Sequence, residues 1–173
     1  MSEIKLLKAH LQLKQDQFHP QTIALAKAVD DAFALSALHA SLKAISLEKH
    51  IPPGLQVHAD PQMLQTILHN LLGNGIKFTG SLGTVSVSAT QQPQDVVISV
   101  RDTGTGIDTA SLSRLFNIAQ IESRPGTNGE SGNGMGLLLC KELVERHGGR
   151  LWLESQPGQG TEVHFTLPRT NTK

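Results

Sequence analysis

Four short segments hold most of the side chains able to do chemistry. In Asn70-Leu71-Leu72-Gly73-Asn74-Gly75-Ile76-Lys77-Phe78 the two asparagines are four residues apart, so a helix puts both amides on one face. Amide oxygens are hard ligands suited to magnesium, which also keeps waters and phosphate oxygens. Lys77, about a turn further on, can reach a phosphate. A solvated polar face would carry the same residues. In Asp102-Thr103-Gly104-Thr105-Gly106-Ile107, glycines let backbone approach a flat ligand closely, and an Asp at a strand end can accept from an exocyclic amine such as that of adenine. An ordinary Asp/Gly turn would read the same. Gly132-Asn133-Gly134-Met135-Gly136-Leu137 opens a helix, where free amides favour an anion. Gly158-Gln159-Gly160-Thr161 is a tight hairpin turn.

The glycine spacing at 132–136 is not a dinucleotide fingerprint. It follows a long loop rather than a strand, and lies too near the C-terminus for the strand–helix–strand unit such a site needs. Nor is there a phosphate loop of the Gly-x-x-x-x-Gly-Lys-Ser/Thr kind.

Positioning these segments takes helices and strands in alternation. Ile4, Leu7 and Leu11, widened by Leu6 and Leu13, predict a helix over residues 1–16 that is too short to stand alone. Gln17-Phe18-His19-Pro20 ends it, because proline keeps the preceding residue out of the helical region. From Gln21 to Leu42 the spacing predicts a second helix, with Ile23, Ala26, Val29, Ala32, Phe33 and Leu38 on one face. Strands are expected at 45–51 and 55–58, around the turn Pro52-Pro53-Gly54. Asp60 is placed as an N-cap with Pro61 first in the helix that carries the paired asparagines. Two alternating strands follow at 84–89 and 96–101, then a Gly-bearing loop and a short helix. Residues 117–134 read as a long mobile loop, and 135–147 as a helix stopped by Gly148-Gly149. Strands at 150–155 and 162–167 close the chain. The class is α+β, with helices on one face of a sheet.

The totals exclude several functions. The chain has 173 residues, 38% of them apolar, which is enough for one domain with a substantial core. Zero formal charge argues against nucleic-acid binding, and one Trp with no Tyr argues against a base-stacking platform. The single cysteine, Cys140, allows no intrachain disulfide and, flanked by leucines, reads as an inert buried thiol. Trp152, between Leu151 and Leu153 in a strand, reads as packing. The eight histidines have no ligand-like spacing, so no zinc site is expected. No stretch is long and apolar enough to span a bilayer, and no signal peptide is evident.

Taken together and in this order, the four segments resemble the N, G1, G2 and G3 boxes of the ATP-binding fold shared by gyrase, Hsp90, histidine kinases and MutL. Asn-Leu-Leu-Gly-Asn-Gly-Ile-Lys-Phe-Thr (70–79), the run from Gly136 to Ser155, and Leu115-Phe116 at the F box are similar to sensor histidine kinase catalytic domains in particular. The resemblance implies a two-layer α/β sandwich of the Bergerat type, with a mixed, mostly antiparallel sheet covered on one face by helices. It implies residues 1–16 as the end of a dimerisation hairpin, 17–168 as the ATP-binding catalytic domain, and 169–173 as a disordered tail.

The cofactors it implies are ATP and Mg2+. Asn74 would hold the metal, with Asn70 supporting metal or phosphates and Lys77 contacting phosphate. Phe78 would pack near the nucleotide, and Asp102 would accept the adenine amino group. Gly104, Gly106 and Ile107 would shape the adenine pocket, with Thr161 close to it. Gly132, Gly134, Met135, Gly136 and Leu137 would form the lid hinge and present amides to phosphates, and Arg124 could reach the γ-phosphate. Hydrolytic relatives carry Glu where this chain has Asn70. An amide is no general base, so slow hydrolysis is expected. Asn133 and Met135 depart from the usual lid motif, and the F box has one Phe, Phe116.

The substrate of the family is a histidine followed by an acidic residue, and no histidine here has that setting; His39, His69 and His147 read as structural. The resemblance therefore implies partners outside the sequence: a His-bearing dimerisation domain of the same kinase and a response regulator. No nucleic acid and no membrane contact by this segment are expected. It also implies a cytoplasmic location, with a parent protein that could be anchored in the inner membrane. A nucleotide-free docking adaptor and a serine kinase built on the same fold are the alternatives.

Overall fold

A computed structural model describes residues 17–117, 124–130, 132 and 134–170. The predicted helix over 1–16, residues 118–123, 131 and 133 of the loop expected over 117–134, and residues 171–173 of the tail expected over 169–173 lie outside the described residues. The elements run β1 (Gln21–Ala24), α1 (Leu25–Leu42), β2 (Ser46–His50), β3 (Gln56–Ala59), α2 (Pro61–Phe78), β4 (Thr84–Gln91), β5 (Asp95–Asp102), α3 (Thr109–Leu112), α4 (Gly136–Arg146), β6 (Leu151–Ser155) and β7 (Thr161–Pro168).

Five strands form one sheet in the order β2-β4-β5-β7-β6, parallel between β2 and β4 and antiparallel elsewhere. Alternation along β4, β5 and β7 sends Val85, Val87, Val96, Ile98, Val100, Val163, Phe165 and Leu167 into the core. That face meets a helical layer in which α2 packs between α1 and α4. Leu64, Ile67, Leu68 and Leu72 recur at helical spacing on α2 and are sealed from solvent. This is the two-layer mixed α/β architecture expected.

One element differs. Residues 21–24, read as the start of a helix, instead pair antiparallel with 56–59 as a two-stranded ribbon. Leu25 N–H donates to Leu55 O at 3.0 Å, so the chain turns into α1 only after that ladder closes. The face of α1 is also shifted. Leu25, Ala28, Val29, Ala32, Ser36 and Ala40 are buried, whereas Leu38, placed inside by its spacing, is 68% exposed. Small residues on the inner face let α1 lie close to α2, which turns the larger leucines outward.

The helix that carries the asparagines starts as expected. Asp60 Oδ1 accepts from the Gln62 and Met63 amides, both at 3.0 Å, with Pro61 at the first position. Asp60 Oδ2 accepts from His19 N–H at 2.9 Å. Burial pushes the Asp60 carboxyl up, but the three backbone donors outweigh it and leave its pKa lowered.

The same corner holds His147, which is 6% exposed. Its Nδ1 lies 2.7 Å from Leu143 O, and its Nε2 accepts from Asp60 N–H at 3.1 Å. Both bonds are satisfied only by the neutral ring with the proton on Nδ1. Burial holds the pKa below the ordinary 6.5, so the folded chain takes the proton less readily than the unfolded chain. The contribution is whole above about pH 6.5 and falls as pH drops through the unfolded value. The urea midpoint is expected to decline between about pH 7 and 5, and His147→Gln to lower it at pH 7 but flatten the decline. An unchanged slope in the variant would remove His147 from this role.

Cys140 is fully buried, with Sγ 3.7 Å from Ile67 O. Burial pushes its thiol up to about 12. A disulfide reagent at neutral pH is expected to label it no faster than the chain opens; prompt labelling of the native protein would contradict that.

Candidate functional site

The C-terminal half of α2, the end of β5, the start of α4 and the loops between them enclose one cavity of about 790 Å³. That is the size of a small-molecule site. Its wall holds Asn70, Asn74, Lys77, Phe78, Asp102, Gly106, Ile107, Gly132, Gly134, Gly136, Leu137 and Thr161. Two of the expected residues, Gly104 and Met135, are not on it. Gly104 sits behind the wall, where a Cβ would come within 2.3 Å of Phe78 O. Met135 is buried, and its carbonyl receives the first helical bond of α4, from Leu139.

One end of the cavity is an acceptor in a rigid frame. Asp102, 8% exposed, closes β5. Its Oδ1 accepts from Gly104 N–H at 2.8 Å and Thr161 N–H at 3.2 Å, while Oδ2 has no partner among the described residues. Burial raises the carboxyl pKa despite those two donors. The loop at 103–107 is stitched to the β6–β7 hairpin by Ile107 N–H to Ser155 Oγ at 2.8 Å and Gly158 N–H to Thr105 O at 2.7 Å. The approach is close enough to need glycine. At Gly106, with φ at +70°, a Cβ would lie 1.9 Å from Gln156 O. Val100, Leu153, Val163 and Ile107 add an apolar lining to the same cavity, and Asp102 itself lies against α2, its Cβ 3.7 Å from where a Cβ on Gly75 would sit.

The other end is polar and cationic. Asn70, Asn74 and Lys77 project from one face of α2, each half-buried. Asn70 Nδ2 donates to Thr66 O at 2.8 Å, which leaves Oδ1 for another partner. That oxygen lies 3.0 Å from where a Cβ on Gly136 would sit, so the start of α4 is packed directly on the amide. The Asn74 side chain has no hydrogen bond among the described residues. Two amide oxygens on one cavity wall, one unpartnered and one with its nitrogen already used, fit a hard cation that takes oxygen ligands. Lys77 Nζ lies 5.0 Å from the Phe78 ring centre and reaches under Gly132. His39, His69 and Arg124 line the same end, the two histidines exposed rather than packed.

Residues 59–171 match the model of the histidine kinase-, DNA gyrase B-, and HSP90-like ATPase family. The chain belongs to that family. An adaptive-response sensory kinase SasA of Gloeothece citriformis (strain PCC 7424) is 35% identical over 168 residues, covering 95% of this chain and 40% of the relative. One from Synechococcus elongatus (strain ATCC 33912 / PCC 7942 / FACHB-805) is 42% identical over 113 residues, covering 65% and 29%. The chain thus spans at most two fifths of the length of these two curated relatives. Full-length ShkA in complex with AMPPNP superposes with a TM-score of 0.74 at 28% identity, over 91% of this chain and 32% of that one. Mycobacterial sensor histidine kinase MprB gives 0.72 at 25%, over 89% and 100%. The catalytic domain of histidine kinase ThkA, at 23% identity, shares the fold with a TM-score of 0.76 over 88% and 99%. The matched region contains all four segments, and the fold brings residues of each to one cavity.

Lys43 was not singled out by its sequence. It follows α1 as an apparent surface lysine, yet it is 5% exposed and lines the cavity. Helix α1 ends in a Schellman turn: Ile45 N–H bonds Ala40 O at 2.8 Å and Ala44 N–H bonds Ser41 O at 3.0 Å, with Ala44 at φ 52°. No glycine marks that turn, so nothing in the local pattern announced that the side chain before it points inward.

Proposed function

We propose that this domain binds Mg-ATP and donates the γ-phosphoryl group to a histidine on the dimerisation domain of a two-component sensor kinase, the acceptor lying outside this chain. The observation that carries the reading is the pairing of opposite chemistries in one cavity. An acceptor oxygen at Asp102 lines the same cavity as the amides of Asn70 and Asn74 and the Lys77 ammonium.

Adenine fits between them, its amino group donating to Asp102 Oδ2 and its faces against Ile107, Val163 and Leu153. The triphosphate then runs toward Lys77, which offers its charge, and the N-terminus of α4, which offers donors. Asn74 and Asn70 would hold magnesium, which neutralises phosphate charge when bound. In transfer, the bond from the γ-phosphorus to the bridging oxygen breaks, a phosphorus–nitrogen bond to the imidazole forms, and ADP leaves. Such a reaction needs mainly positioning and charge neutralisation. Asn70 stands where hydrolytic relatives carry a Glu, and an amide is no general base, which supports slow hydrolysis. A response regulator is the downstream partner by analogy with ThkA, solved in complex with the response regulator TrrA. No helix among the described residues is long and apolar enough to cross a membrane, and the reading places the domain in the cytoplasm, where ATP is available.

Calorimetric titration of ATP with and without magnesium, with GTP as control, tests the binding. Phosphorylation of an added His-bearing dimerisation domain tests the transfer. Magnesium-dependent ATP binding without GTP binding, followed by acid-labile label on the added domain, is the expected result. A folded sample that binds no nucleotide would overturn it.

A further inference from the structure

The Lys43 ammonium gathers groups from both sides of the cavity rim. It donates to Ile76 O at 2.7 Å and Lys77 O at 3.2 Å, the carbonyls that the last turn of α2 leaves without helical partners. It also donates to Thr127 Oγ1 at 2.7 Å and to Glu130 Oε1 at 2.8 Å. The cation stands at the negative end of the helix dipole, and its stem is buried. Segment 126–130 is folded back on itself by Gly126 N–H to Glu130 O and Asn128 N–H to Glu130 Oε2, both at 2.9 Å. It is pinned to α2 a second time by Thr127 N–H to Lys77 O at 3.0 Å and Thr127 Oγ1 to Thr79 O at 3.0 Å. Lys77 is therefore shared. Its carbonyl anchors segment 126–130, while its side chain runs past Gly126 to place the ammonium beside Gly132. Asn128 and Glu130 line the cavity from the same segment.

We propose that Lys43 is the positioning residue for the cation-rich end of the cavity: it locks segment 126–130 and the Lys77 turn of α2 into one unit and thereby holds the phosphate-facing rim in place. Lys43 need not touch the nucleotide to do so, because four acceptors already share the three N–H groups of its head. A carboxylate at that rim would repel a polyphosphate; its ion pair with Lys43 offsets that charge. The assignment of this end to phosphate rests on the function proposed above, but the clamp itself does not.

The test uses the full chain and two readouts. Amide hydrogen exchange is measured without nucleotide, and dissociation constants for ATP and for adenosine are measured with magnesium. In Lys43→Met, exchange at Gly126, Thr127 and Asn128 is expected to rise at least about tenfold, while buried amides of α2 stay protected. ATP affinity is expected to fall about tenfold and adenosine affinity to stay within about twofold, because the Asp102 end is untouched. Thr127→Val deletes one neutral arm of the clamp and is expected to shift both readouts the same way by about threefold; it carries the test if Lys43→Met does not fold. Unchanged exchange at 126–128 in a folded Lys43→Met, or in Thr127→Val if that variant stands in, overturns the clamp. Equal losses for ATP and adenosine overturn the positioning role, since general loosening would affect both ends. A wild-type chain that binds no ATP overturns the proposed function instead, and the exchange result still decides the clamp.

Discussion

Asn74→Ala is expected to remove the magnesium dependence of ATP binding and weaken affinity by about a hundredfold. The side chain is half-buried on the cavity wall and contributes no hydrogen bond to the described fold, so its loss leaves no protein group unpaired. Alanine is also the better helix former, by roughly half a kcal/mol, so the melting temperature should hold or rise slightly. Calorimetry with and without magnesium then reads the ligand site rather than the fold. A variant whose ATP affinity still responds to magnesium as the wild type does would move the metal away from Asn74.

Asp102→Asn is expected to cost ATP affinity about thirtyfold or more while narrowing the preference over GTP. The Gly104 and Thr161 amides need an acceptor, so the asparagine keeps its carbonyl oxygen toward them. Its NH2 then replaces Oδ2 and presents a donor to the donating amino group of adenine. The O6 of guanine, an acceptor, meets the same NH2 favourably. Because burial already raises the Asp102 carboxyl pKa, a neutral amide is tolerated there and stability should change little. Parallel titrations of ATP and GTP into both proteins check this; an unchanged ratio of the two affinities would place the base elsewhere.

Both variants were legible before any fold was known, for a shared reason. Their chemistry is local: two amides on one helix face, or a carboxylate at a strand end beside glycines, follow from residue type and from periods of about 3.6 and 2. The helix start at Asp60-Pro61 was equally readable, since an N-cap satisfies backbone groups within three residues of itself. The error at 21–24 arose because that segment forms a ladder with residues 56–59, and cross-strand pairing leaves no trace in helical spacing. Leu38 was misplaced for a similar reason: the inner face of α1 is chosen by what α2 can accept against it, and small residues there admit the closer approach.

The sequence by itself determined the inventory of this domain: the α+β class, the caps, the four segments and the chemistry each could offer. Periodicity and turn residues act over a few positions, so they survive without tertiary information. Only the tertiary structure decided that Asp102 and Lys77 share one cavity, that Gly104 and Met135 stand behind its wall, that Asp60 and His147 join α2 to α4, and that Lys43 is buried beneath the rim. Those relations link residues far apart in the chain, and they arise from burial and from satisfying polar groups that burial cuts off from water.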